Sequence, residues 1–136
     1  MPSIFSRIID GELPSYKVAE NEDFIAILDI NPNTKGHTLC IPKKEVDYIF
    51  SMPLEEYKAL MAFSYQIACA IEKVVDCKRV GMSVVGLEVP HVHVHLIPLN
   101  EMCDISFKKK LPAKPEELTQ LAEAIGREFR VNFSVF

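Results

Sequence analysis

The chain has no basic excess. Its 15 Lys and Arg stand against 19 Asp and Glu, a formal net charge of -4 over 136 residues. Nucleic-acid affinity rests largely on cations that neutralise phosphates, so this balance excludes a dedicated nucleic-acid surface. The run Lys108 to Lys110 is a local exception and reads as a solvated loop. C-x-x-C spacing is missing too: Cys40, Cys69, Cys77 and Cys103 stand apart, with no short-spaced disulfide or metal framework. Cys40 in "TLCI" and Cys69 in "IACAI" read as small packed hydrophobes. Arg7 and Asp10 interrupt the N-terminus too early for the apolar core of a signal peptide. No apolar run reaches a membrane-spanning length. The expectation is a protein of the reducing cytoplasm, without nucleic-acid or membrane partners. Repeats, linkers and low-complexity stretches are also missing, so residues 1–136 read as one domain with enough chain for a core.

What is present alternates between two periods. From Leu54 to Val75, Leu54, Tyr57, Leu60, Met61, Ile67, Ala68, Ile71 and Val75 recur at threes and fours, which predicts a long helix. Ser51 is its expected N-cap, with Pro53, Glu55 and Glu56 behind it. A second helix is expected from Pro115, carrying Leu118, Leu121, Ala122, Ile125 and Phe129; Gly126 should weaken it by about 1 kcal/mol relative to Ala. "YKVAE", "DFIAILD", "HTLCIP", "VGMSVV" and "HVHVHLIP" read as strands. "INPNTKG" reads as a turn, through Pro32, Asn33 and Gly36. The fold class is α+β: an antiparallel five-stranded meander sheet with a long central helix and an extra C-terminal helix. In the tail "VNFSVF", alternating Val131, Phe133 and Val135 suggest a strand or an apolar strip.

Three of the four histidines fall in "EVPHVHVHLIPL", at positions 91, 93 and 95. On a strand they would share one face, about 6.6 Å apart between neighbours and about 13 Å between the outer two. Zinc draws its ligands to about 2.0–2.1 Å around one point, and three rungs of one strand do not converge that way. A row of imidazoles suits an extended anion better, since each ring can donate, accept or attack near neutral pH. His37 opens "HTLCIP"; a lone histidine at a strand edge is more often structural, and it gains a role only if that strand lies beside the ladder.

"HVHVHLIP" resembles the signature of the histidine triad (HIT) superfamily of nucleotide hydrolases and transferases. "IFSRIIDGELPSYKVAEN", "FIAILDINPNTKGHTLCIPKKEV" and "VGMSVV" are similar to the segments that precede it, so the resemblance covers roughly residues 3 to 100. A C-terminal extension follows from about residue 101 to 136. The resemblance implies that His93 attacks the α-phosphorus of a purine nucleotide derivative and becomes nucleotidylated. It implies that His95 bonds phosphate oxygens beside the leaving group, and that His91 and His37 orient the site. Asp29 would bind the ribose hydroxyls, while Ile4, Phe5, Ile8, Ile27 and Leu39 would line the base pocket or simply form core. A homodimer is implied, with no metal on the protein for this step and Mg²⁺ at most accompanying polyphosphate substrates. A neutral imidazole nucleophile would lose activity below about pH 6.5 unless the site shifts that value.

Two departures matter. The Asn-, Gly- and Gln-rich loop of many members is replaced here by a shorter stretch with Gly86, Glu88 and Pro90. Where some members hold structural zinc with two cysteines, a histidine and a triad histidine, this chain has Ser3, Ser6 and Glu45 at the first three places, so no structural zinc is expected. Besides the hydrolase, a nucleotide-binding module with weak turnover that acts through a protein partner also fits these residues.

Overall fold

The computed structural model describes residues 2–133. In chain order the elements are helix α1 (Ile4–Ile9), strands β1 (Lys17–Glu20), β2 (Phe24–Leu28) and β3 (Thr38–Pro42), helix α2 (Leu54–Val74), strands β4 (Arg79–Ser83) and β5 (Val94–Leu99), and helix α3 (Pro115–Phe133). Single 3-10 turns lie at Ile49–Ser51 and Met102–Ile105. The five strands form one antiparallel sheet, as the sequence predicts, in the order β1-β2-β3-β5-β4. The first three strands follow one another as a meander. The last two enter in reverse, because α2 carries the chain to the far edge before β5 returns beside β3. Burial explains the choice. Every β5 residue from Val94 to Pro98 is buried, which suits a strand paired on both sides, while β4 is half-exposed and takes the edge.

Alternation sorts the sheet into two faces. Phe24, Ala26, Leu28, Cys40, Val94 and Leu96 join Leu60, Phe63, Ile67 and Ile71 of α2 and Leu118, Leu121 and Ile125 of α3 in the main core. Burial pushes the Cys40 thiol up to about 12, in keeping with its packing as a hydrophobe. Ile25, Ile27, Leu39 and Ile41 face the other way and pack with Phe5 of α1. Among the described residues no helix is long and apolar enough to cross a membrane.

Local expectations fail at three places. Pro53, not Ser51, is the N-cap of α2; the Ser51 hydroxyl donates to the Tyr48 carbonyl at 2.8 Å instead. Leu54, expected on the apolar stripe, is exposed, and Phe63 takes a core position. Val131 and Phe133 belong to the last turn of α3 rather than to a strand, and Val135 lies outside the described residues. Gly126 has a packing reason as well as a cost. An added Cβ would sit 2.4 Å from the Val18 carbonyl oxygen, so the glycine is what lets α3 rest on β1.

Candidate active site

Sheet register brings the predicted residues together. Ile27 pairs with Leu39, and Leu39 with His95, one row across three strands on the face that α1 covers. One step along, the Asp29 amide donates to the His37 carbonyl at 3.0 Å, which sets those two side chains beside that row. Because β3 pairs with β5, His37 does lie next to the ladder. The ladder itself is not one regular strand. Only His95 belongs to β5; His91 and His93 approach it through irregular chain, and the rings of His93 and His95 stand 4.8 Å apart rather than at strand spacing. All four imidazoles are buried.

Their hydrogen bonds fix which nitrogen carries each proton, since amides only donate and carbonyls only accept. The Asn33 amide donates to His37 Nδ1 at 3.0 Å, so the neutral ring has its proton on Nε2. That N–H donates to His95 Nδ1 at 2.9 Å, which leaves His95 with a proton on Nε2. His93 is the reverse case. Its Nδ1–H donates to the His91 carbonyl at 2.8 Å, so its Nε2 keeps a lone pair. His91 Nε2–H donates to the Pro42 carbonyl at 2.8 Å, and the Ser3 hydroxyl donates to His91 Nδ1 at 2.6 Å. The site therefore presents one nucleophilic nitrogen and, beside it, one N–H donor.

Burial favours the neutral form of His37, His93 and His95. Desolvation, with repulsion from His95, Lys110 and His93, lowers His37 to about 3. Desolvation, His93 and Lys110 lower His95 to about 4. His93 is lowered as well, chiefly by desolvation, with its bond to the His91 carbonyl working against the shift. The acid loss of a nucleophilic His93 thus moves below the unperturbed 6.5. Desolvation raises Asp29, against the Asn31 amide, Lys110 and His93.

Two aromatic rings bracket the ladder. Phe5 packs on His91 and His93 at 5.8 and 4.8 Å, and Phe107 on His95 and His37 at 4.7 and 6.3 Å. Of the other expected pocket residues, Ile27 and Leu39 are buried beside Phe5, Ile8 packs against that cluster, and Ile4 points outward. Phe107 was invisible as a site residue because it belongs to the C-terminal extension. So was Asn33, which the sequence marks only as a turn former. Fully buried, its side chain donates to the Asp104 carbonyl at 3.1 Å and accepts from Lys110 Nζ at 3.1 Å. The lysine run is therefore only partly a solvated loop: Lys109 pairs with buried Asp104, and Lys110 reaches Asn33. Glu88 is an exposed loop residue. Among the described residues Asp29, His37 and His95 are close enough to suggest a cation site. However, His37 Nε2 and His95 Nδ1 face each other at 2.9 Å, closer than the about 3.3 Å separating two nitrogens on one tetrahedral zinc. Ser3, Ser6, Glu45 and His91 also converge, and they bond one another. Two hydroxyls and a carboxylate do not supply the thiolate set of a structural zinc site.

A model of the HIT domain matches residues 10–102. An uncharacterized HIT-like protein of Borreliella burgdorferi is 34% identical over 132 residues, 90% of this chain and 95% of its own. Among solved structures, a hypothetical histidine triad nucleotide-binding protein from Sulfolobus tokodaii superposes with a TM-score of 0.81 at 28% identity, covering 97% of each chain. A HIT family hydrolase from Legionella pneumophila gives 0.64 at 26% identity over 74% of this chain and 96% of its own. With the triad in place on that sheet, the chain belongs to the histidine triad family.

Proposed function

We propose that the protein is a nucleotide hydrolase, or nucleotidyltransferase, that cleaves at the α-phosphate of a purine nucleotide derivative through a nucleotidyl-His93 intermediate. The observation that carries this reading is the opposed protonation of neighbouring rings: a lone pair on His93 Nε2 and a proton on His95 Nε2. In the first step the His93 lone pair forms a bond to phosphorus, and the bond to the leaving group breaks. The departing atom takes that electron pair while the His95 N–H hydrogen-bonds it. His93 then carries positive charge, which its Nδ1–H shares with the His91 carbonyl. In the second step water attacks phosphorus, the P–N electron pair returns to His93 Nε2, and the proton from water leaves with the nucleoside monophosphate product. Asp29 would bind the ribose hydroxyls, and Phe5, Ile8, Ile27 and Leu39, with Ile4 at the rim, would hold the base. No step calls for a protein-bound metal, and Mg²⁺ would enter only with polyphosphate substrates.

The test is intact mass and product release for wild type and His93→Ala with adenosine phosphoramidate, a diadenosine polyphosphate and an aminoacyl adenylate. Wild type should turn over at least one of them or trap an adenylyl adduct, and the variant should do neither. Tight binding without adduct or turnover on all three would reject the enzyme in favour of a nucleotide-binding module. The same samples under native conditions read the expected homodimer. Exposed Tyr48, Phe50, Leu54 and Tyr65 support one, and a monomer mass alone would dismiss it.

A further inference from the structure

The segment that carries the nucleophile is held by something other than the sheet. Residues 91–93 precede β5, so no strand ladder fixes the His91 carbonyl that orients His93. Among the described residues two backbone bonds act there, from the His91 amide to the Val89 carbonyl and from the Val92 amide to the Val46 carbonyl. Val92 anchors the segment in the main core, and the His91 ring adds a bond through each nitrogen, one on the Pro42 carbonyl and the other on the Ser3 hydroxyl. Ser3 in turn is fixed from two sides. Its hydroxyl accepts from the Ser6 amide at 3.0 Å, and its own amide donates to Glu45 Oε1 at 2.7 Å. The same carboxylate oxygen accepts from the Ser6 hydroxyl at 2.7 Å. Glu45 therefore clamps the first turn of α1, and that turn sets the Ser3 hydroxyl against the His91 ring.

We propose that Ser3 and Glu45 are positioning residues for the nucleophile: Glu45 pins Ser3, the Ser3 hydroxyl locks the His91 ring, and His91 presents the carbonyl that turns the His93 lone pair toward substrate. The catalytic half of this rests on the function proposed above; the bonding half does not. The arrangement also couples the two walls of the site, since the clamped turn carries Phe5, whose ring packs on both His91 and His93. Hydroxyl and carboxylate hydrogen bonds here tie the N-terminal segment to a triad histidine.

The experiment compares wild type with Ser3→Ala, Ser3→Thr, Glu45→Ala and Glu45→Gln. Two readouts are used: long-range ¹H–¹⁵N correlations of the histidine rings, and steady-state kinetics on the substrate that wild type turns over. Wild type should show the proton of His91 on Nε2 and that of His93 on Nδ1. Ser3→Ala and Glu45→Ala should mix the two forms at His91 and lower kcat about tenfold, the lower end of what losing the orienting partner of a metal-ligating histidine costs. KM should change much less than kcat. Ser3→Thr keeps the hydroxyl and Glu45→Gln keeps an acceptor, so both should restore the wild-type tautomers and most of kcat. Unchanged ring tautomers and kcat in Ser3→Ala, with only a lower melting temperature, would reduce the clamp to a structural contact and overturn the proposal. If wild type turned over nothing, the enzyme reading would fall, and the ring spectra would still decide whether the clamp sets the tautomers.

Discussion

Acidification from about pH 7.5 to about pH 5 should cost the fold a large part of its stability, because two buried imidazoles refuse protons that the unfolded chain accepts. His37 is lowered from 6.5 to about 3 and His95 from 6.5 to about 4, both first by desolvation. Between 6.5 and these values the unfolded state binds more protons than the folded one, so the unfolding free energy falls as pH falls. Each pKa unit is worth about 1.4 kcal/mol, and about 1.5 units are traversed by pH 5, giving about 2 kcal/mol per ring and about 4 in all. Set against a total stability of about 5–15 kcal/mol, that loss is easily measured. Two depressed carboxylates lie below this window. Glu45 is held to about 2 chiefly by the Ser3 amide and the Ser6 hydroxyl, and Asp104 to about 2 by Lys109 and two backbone amides. Their contribution is present above the ordinary carboxylate values of 4.5 and 3.8 and is lost only below them. Asp29, raised by desolvation, acts in the opposite sense as pH nears its range. The assay is urea denaturation at the two pH values, for wild type and for His37→Gln, which keeps a donor and an acceptor but does not titrate. These two rings should cost wild type about 4 kcal/mol and the variant about 2, with His93, also lowered by desolvation, adding to both in the same sense. An unfolding free energy in wild type that changes by less than about 1 kcal/mol would refute the premise that the folded protein keeps these rings neutral.

Gly126→Ala separates two readings by sign. On helix propensity alone it should stabilise by about 1 kcal/mol, but the 2.4 Å approach to the Val18 carbonyl makes it an overpacking change that should destabilise by about 1–3 kcal/mol in urea denaturation. A gain in stability would show that α3 shifts freely on β1. Asn33→Ala strips the buried Asp104 carbonyl of its donor and Lys110 of its acceptor, at an expected cost of about 1–3 kcal/mol. It should also speed proteolysis between residues 101 and 111, since that segment loses an anchor; unchanged cleavage rates would argue that Phe107 stays on His95 without Asn33.

The two long helices, the five strands and the family were legible in the sequence because their signals are written within a few residues, whereas the short helix α1 carried no such signal. The 3.6-residue stripe gave α2 and α3, period two and turn formers gave the five strands, and the triad with its preceding segments gave the family. Boundaries slipped where neighbouring signals competed. Ser51 is a fair N-cap by type, but Pro53 stands closer to the helix. Val131 and Phe133 alternate like a strand, yet α3 simply continues through them.

The arrangement of the site was decided elsewhere. His37 and His95 are 58 residues apart, Asn33 and Asp104 71, and Ser3 and His91 88. Alternation says which face a side chain takes but not which strand lies beside it. Only the sheet order, with β5 inserted between β3 and β4, raised His37 from a strand-edge histidine to a partner of His95. Only the path of the C-terminal extension laid Phe107 on the ladder. The sequence by itself determined that there would be three imidazoles in a row and an antiparallel sheet to carry them. The tertiary structure decided which nitrogen of His91 and of His95 holds its proton, because the hydroxyl, carbonyl and ring N–H that set them are brought within 3 Å by distant chain. His37 and His93 take theirs from near neighbours, the Asn33 amide and the His91 carbonyl, through the local path of the backbone.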